Sequence, residues 1–189
     1  MDNSDAALIE GRKTVQDLRS VTHVGKGLED SLQQLGSILV STEENNLHPA
    51  FRLLIERKPK DVDPIVKDEA YAIAREALRN AIQHSQAGHL EVELRFDDRQ
   101  LRVRIRDDGV GIDPAVLAEG RRAGHWGLTG MRERAARIEG SLSVWSEANA
   151  GTEIELAVPG AVAYRTFPIV IGENKGCFSV HPENTVRRN

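Results

Sequence analysis

The sequence predicts an α/β (α+β) two-layer sandwich: a mixed, largely antiparallel sheet with its main helices packed on one face. Three observations carry that expectation. HLEVELRFDD and RQLRVRIRDD place Leu90, Val92, Leu94 and Phe96, then Leu101, Val103 and Ile105, at every second position, the pattern of a hairpin of two half-buried strands. SLSVWSEANAGTEIELAVP supplies a second strand pair around Ala150-Gly151. Between Asp63 and His84, Val66, Ala70, Ile73, Ala77 and Ala81 recur at helical spacing.

From the start of the chain, Ala7, Leu8, Val15 and Leu18 suggest a helix over residues 4–19. After the Gly25-Lys26-Gly27 break, Leu28, Leu32, Leu35, Ile38 and Leu39 form the stripe of a second. PAFRLLIERKP, residues 49–59, is short, β-rich and closed by proline, and reads as a strand. Asp63-Pro64 is an N-cap followed by proline at the first helical position, and opens the long helix that runs to about His84. The hairpin follows, then a loop rich in glycine and arginine, AEGRRAGHWG. LTGMRERAARIEG is a helix stopped by Gly140, and leads into the last strand pair. From Ala161 onward no clear period remains, although FPIVIG could add an edge strand.

The chain has 189 residues, enough for one good-sized domain with appendages, and its 40% hydrophobic and 29% charged content is that of a soluble globular protein. A net charge of −4 offers no electrostatic case for nucleic acid. The single cysteine, Cys177, excludes an internal disulfide and a cysteine-based zinc site, and fits a reducing, cytoplasmic setting. No apolar run approaches the ~20 residues of a membrane helix, so no membrane contact is expected of these residues. The signatures G-x-x-x-x-G-K-[ST], strand-linked G-x-G-x-x-G, G-x-S-x-G and H-E-x-x-H are absent.

Two polar clusters remain to be explained. In REALRNAIQHS, Glu76, Asn80 and His84 stand at i, i+4 and i+8 along one side of the helix, away from its apolar stripe. Such a triple is either a solvated face or a site. In the second case the acid orients or deprotonates an attacking group, and the amide oxygen joins the shell of a hard cation such as Mg²⁺. His84 either reaches a phosphate or closes the helix end. In RIRDDGVGID, a strand delivers Asp107 and Asp108 into Gly109-Val110-Gly111, which alone reads equally as turn chemistry. GHWGLTGM then spaces Gly124, Gly127 and Gly130 at three-residue intervals before a helix, where backbone N–H groups can approach an anion.

Taken in order, Glu76…Asn80, Asp107-x-Gly109-x-Gly111, Gly124-x-x-Gly127-Leu128-x-x-Met131 and Gly151-Thr152 resemble the boxes of the GHKL ATPases. That superfamily groups sensor histidine kinases with gyrase-type topoisomerases, heat-shock chaperones and mismatch-repair ATPases. The wording REALRNAIQHS, DDGVGID, GHWGLTGMRERA and GTEIELAVP resembles the catalytic ATP-binding domain of the NarL-partner class of bacterial histidine kinases, over residues 46–160. The preceding EGRKTVQDLR resembles the end of that class's dimerisation region.

The resemblance implies a GHKL-type fold, with residues 1–45 a helical remnant of the dimerisation region and connecting helix, 46–160 the ATP-binding domain and 161–189 an irregular tail. It implies Asp107 as the reader of the adenine amine, Gly109 and Gly111 as room for the base and its waters, and Thr152 as a support through water. Asn80 matches the Mg²⁺ ligand and Glu76 the acid that helps activate the phosphoacceptor histidine. Gly124, Gly127 and Gly130 match the triphosphate lid, with Leu128 and Met131 in the same ATP-binding box. The implied cofactors are ATP and Mg²⁺. The implied partners are a dimerisation and phosphoacceptor helical domain of the same parent protein and a downstream response regulator. The parent is expected to be membrane-anchored, with this part cytoplasmic. Neither His23 nor His48 is followed by the acidic residue of the class's phosphoacceptor, so the reactive histidine is expected outside this chain. An ATP-operated clamp without chemistry and an anti-sigma-type serine kinase share the same boxes.

Overall fold

The structure, a computed structural model, describes residues 27–41, 49–112 and 126–164; the helix expected over residues 4–19 lies outside them. In chain order the elements are α1 (Leu28–Ser41), β1 (Ala50–Glu56), α2 (Pro64–His84), β2 (His89–Phe96), β3 (Gln100–Asp107), α3 (Trp126–Arg137), β4 (Ser141–Glu147), β5 (Gly151–Pro159) and α4 (Gly160–Ala163). The five strands form one sheet in the order β1-β2-β3-β5-β4. Only β1 and β2 are parallel, and α2 supplies the long crossover that a parallel pair requires. The sheet is thus mixed and largely antiparallel, as its sequence pattern predicts.

Alternation decides which face meets the helices. Leu90, Val92, Leu94 and Phe96 of β2, Leu101, Val103 and Ile105 of β3, and Ile154, Leu156 and Val158 of β5 are all buried. Leu28, Leu32 and Leu35 of α1, the stripe of α2, and Leu128, Met131 and Ala135 of α3 complete that core. The other face carries charge. Arg104 of β3 lies between Glu93 of β2 and Glu155 of β5, bonding Glu155 Oε2 through Nε and Nη2 at 3.0 and 2.9 Å and Glu93 at 3.3 Å.

Helix ends follow local chemistry. Asp63 caps α2, its Oδ1 accepting from Ile65 N at 2.9 Å and Val66 N at 3.3 Å ahead of Pro64 at the first turn. The end of α3 differs from expectation. The left-handed residue is Glu139, at φ 53°, rather than Gly140. Gly140 N bonds Ala135 O and Glu139 N bonds Ala136 O, the pair of bonds of a Schellman ending. Gly140 instead lies close to β5, where a Cβ would make a tight contact of 3.1 Å with Ala157 O.

The core runs across both boundaries expected at residues 45/46 and 160/161. A Cβ on Gly36 of α1 would stand 2.1 Å from the Phe51 ring of β1, so helix and strand are in direct contact there. Beyond residue 160, Val162 and Ala163 are buried, and Ala163 O accepts from Asp63 N at 2.8 Å. Tyr164 follows with its hydroxyl donating to Gln100 O at 3.4 Å; burial, with Asp97 and Asp98 nearby, pushes its pKa up to about 12. Residues 160–164 are therefore structured where the sequence shows no period.

If α1 belongs to the cooperative unit, Leu32→Ala, at a fully buried position, lowers stability by about 2–5 kcal/mol in a denaturant titration. A negligible loss would place α1 outside it.

Candidate functional site

On α2, Glu76 and Asn80 flank the buried stripe one turn apart, and both are half-buried. What covers them is the start of α3. A Cβ on Gly127 would stand 2.7 Å from Glu76 Oε1 and 3.2 Å from Asn80 Nδ2, so a side chain here would push the ends of Glu76 and Asn80 aside. Glu76 is also gripped by its neighbour one turn on, Arg79 Nη2 donating to both carboxylate oxygens at 3.0 and 2.9 Å. Leu128 and Met131 point into the core, 9% and 1% exposed, and seat α3. A Cβ on Gly130 would meet nothing within 4 Å, so no close approach explains that glycine. Gly124 lies outside the described residues. His84 is exposed on the last turn of α2, a place where a positive charge suits the helix end.

Asp107 is the last residue of β3 and continues the Leu101-Val103-Ile105 series, so it faces the helix layer at the rim of the core. Its Oδ1 accepts from Gly109 N at 3.0 Å. Burial raises its pKa above the ordinary aspartate value, against hydrogen bonds from the Gly109 and Thr152 backbones and the Ser85 hydroxyl. Opposite Asp107 in the β3–β5 register stands Thr152, 8% exposed.

Asp108 is exposed, as a spacer would be, but it has work of its own. Its Oδ1 accepts from Gly88 N and His89 N at 2.8 and 2.9 Å, and Oδ2 lies 2.7 Å from His89 Nδ1, which pins the start of β2. The His89 hydrogen bonds hold its pKa below the ordinary range. Neighbouring acids therefore shift in opposite directions, because one faces the core and the other faces donors.

The glycines beside Asp107 make room for the chain itself. A Cβ on Gly109 would stand 2.2 Å from Ser85 O, and one on Gly111, at φ +77°, 2.3 Å from Glu147 O. A Cβ on Gly151, at φ +88°, would stand 1.9 Å from Asp107 O. The loop is then tied down by Val110 N to Ser85 O at 2.8 Å and Asn149 N to Val110 O at 2.9 Å. In the direction a side chain would take at Gly109 and Gly111, the space is filled by protein backbone.

Two serines complete the site that sequence reading missed. Ser85 follows α2; its hydroxyl lies 2.6 Å from Ala81 O and within reach of Asp107, two acceptors that compete for its one proton, and it accepts from Ala87 N at 3.1 Å. Ser146 of β4 accepts from Ile112 N at 2.7 Å, donates to Gly151 O at 3.0 Å and lies 3.1 Å from Thr152 Oγ1. Its signal was a hydroxyl on the core side of β4, in line with Leu142 and Val144.

The helix α2 links the two halves. Ser85, in hydrogen-bonding reach of Asp107, follows Asn80 by five residues and Glu76 by nine, so the acid lies roughly 14 Å of helix rise from the Asp107 end. Acceptors at one end suit a ligand edge that offers N–H groups, and the amide and carboxylate farther along suit a cation-bridged anionic tail. A sequence profile described as "Histidine kinase-, DNA gyrase B-, and HSP90-like ATPase" matches residues 65–162.

The chain belongs to that ATPase family.

Membership makes ATP its ligand. The sensor histidine kinase LiaS of Bacillus subtilis is 32% identical over 166 residues, 88% of this chain and 42% of that protein. The nitrate/nitrite sensor protein NarX of Escherichia coli K12 is 34% identical over 101 residues, 53% of this chain and 16% of that protein. The chain thus spans less than half the length of these curated relatives. In fold it is similar to the histidine kinase domain of the Erythrobacter litoralis EL346 blue-light activated histidine kinase, with TM-score 0.59 and 21% identity over 71% of this chain and 62% of that one. No helix among the described residues is long and apolar enough to cross a membrane.

The two aspartates are expected to separate by mutation. Asp107→Asn abolishes measurable ATP binding in calorimetry but does not lower stability at neutral pH. A raised carboxyl pKa favours folding only while the proton is held, and that contribution is lost as pH rises through the raised value. Asp108→Ala leaves ATP affinity unchanged and lowers stability at neutral pH by about 1 kcal/mol, since two backbone donors lose their acceptor. The wild-type advantage from Asp108 is present above the ordinary aspartate pKa and fades as pH falls through its depressed value.

Proposed function

We propose that this chain is the ATP–Mg²⁺-binding catalytic module of a sensor histidine kinase, which passes the γ-phosphoryl group of ATP to a histidine on a separate helical domain. The observation that carries the reading is the meeting of Gly127 with Glu76 and Asn80 on the same helix whose end abuts Asp107.

Asp107 accepts a hydrogen bond from the adenine amine, with Thr152 beside it. Gly124, Gly127 and Gly130 carry the phosphate-covering segment. Among the described residues no group of three or more His, Cys, Asp or Glu could hold a metal ion. Asn80 would supply a protein oxygen to a bound Mg²⁺, and phosphates and water would supply the rest, the usual habit of that cation. When bound, Mg²⁺ neutralises phosphate charge. Glu76 polarises the N–H of the incoming imidazole so that its other nitrogen attacks the γ-phosphorus; the new P–N bond forms as the bond to ADP breaks. For that, Glu76 must exchange its bond to Arg79 for the imidazole. The helical phosphoacceptor domain of the parent and a response regulator are the protein partners, in the cytoplasm beneath a membrane-anchored sensor.

The test supplies the helical domain in trans with [γ-³²P]ATP. Acid-labile label on histidine supports the reading; nucleotide binding without transfer, or label on serine of a partner, overturns it. Glu76→Gln leaves ATP affinity intact and slows transfer by about 10²–10⁴-fold, the span of general acid–base contributions. Asn80→Asp weakens magnesium-dependent ATP binding more than it lowers the melting temperature.

A further inference from the structure

The hydroxyl of Ser146 has one proton and two acceptor positions, and its three neighbours use all of them. Gly151 O, at 3.0 Å, is only an acceptor, so it takes the Ser146 proton. Ile112 N–H, at 2.7 Å, is only a donor, so it occupies one lone pair. The remaining neighbour is Thr152 Oγ1 at 3.1 Å, which completes the set by donating to Ser146. Thr152 is 8% exposed, and its only proton is thereby committed away from the pocket. What Thr152 then presents beside Asp107 is lone pairs alone. Asp107, when ionised, also only accepts.

We infer that Ser146 is a positioning residue that fixes Thr152 as an acceptor and so makes the pocket select a 6-amino purine over a 6-oxo purine. This rests on the adenine-binding reading of Asp107. An amine meets the two acceptors with N–H groups, directly or through one water. A 6-oxo group sets lone pairs against lone pairs and leaves the site's acceptors unmatched. Sites built in this way reject the mismatched analogue more strongly than shape alone allows. Without Ser146, the Thr152 hydroxyl is released to rotate and can donate to an oxo group.

The experiment compares the affinities of ATP and inosine 5′-triphosphate, which differ at the 6-position, for wild type, Ser146→Ala, Ser146→Thr and Thr152→Val. Wild type prefers ATP. Ser146→Ala narrows the ATP-to-inosine-triphosphate affinity ratio by about tenfold, the worth of one net hydrogen bond, and Ser146→Thr restores it. A Ser146→Ala protein that weakens both nucleotides equally has lost packing only, and that result overturns the inference while leaving the ATP-binding reading intact. Wild type that binds inosine triphosphate as tightly as ATP would instead remove the adenine reading itself. Should Ser146→Ala not fold, Thr152→Val decides the matter: it too must narrow the ratio, and an unchanged ratio overturns the inference.

Discussion

Everything at the site depends on the register between β3 and β5. It sets Leu101, Val103 and Ile105 against Val158, Leu156 and Ile154 on the core face, and Asp107 against Thr152 at their end. The opposite face enforces the same alignment through Arg104 and Glu155. A slip of one residue would invert every side chain, bringing Arg104 into the core and turning Asp107 outward. Gly151 locks the end of this ladder, because a side chain there would overlap the Asp107 carbonyl. The directional contact proposed for the base is therefore a by-product of hydrophobic pairing several residues away.

The second constraint is the helix α2, which acts as a ruler. Its stripe of small and branched residues, from Val66 to Ala81, seats it on the sheet, and its cap at Asp63 fixes where it starts. Given those two, the angular position of Glu76 and Asn80 follows from the 3.6-residue period. The covering helix α3 is seated by Leu128 and Met131, whose burial brings Gly127 down onto the acid and the amide. Core residues thus set the distance between Gly127 and the acid and amide proposed to meet the nucleotide.

Much of this was legible beforehand, for identifiable reasons. Period-two alternation in β2, β3 and β5 and the stripe of α2 are local signals that tertiary packing has no cause to override, and each element forms where the pattern places it. Asp107 was singled out by the resemblance, since the strand end that carries it reads, taken alone, equally as turn chemistry. What was not legible was the partner of each glycine. Gly109 and Gly111 read as space, yet beside them stand Ser85 and Glu147, which only the folded chain brings near, as it brings Asp107 to Gly151. Glu139 took the left-handed position that Gly140 seemed made for, since the demand on Gly140 came from β5. Ser85 and Ser146 carry no motif of their own. Their importance lies in hydrogen bonds across loop, turn and strand, which no spacing rule encodes.

The contact between Gly36 and the Phe51 ring has a mechanical meaning. Leu28, Leu32 and Leu35 are sunk among the same core residues, and the Phe51 ring occupies the place a side chain at Gly36 would take. A rotation of α1 therefore either displaces the Phe51 ring or turns the sheet with it.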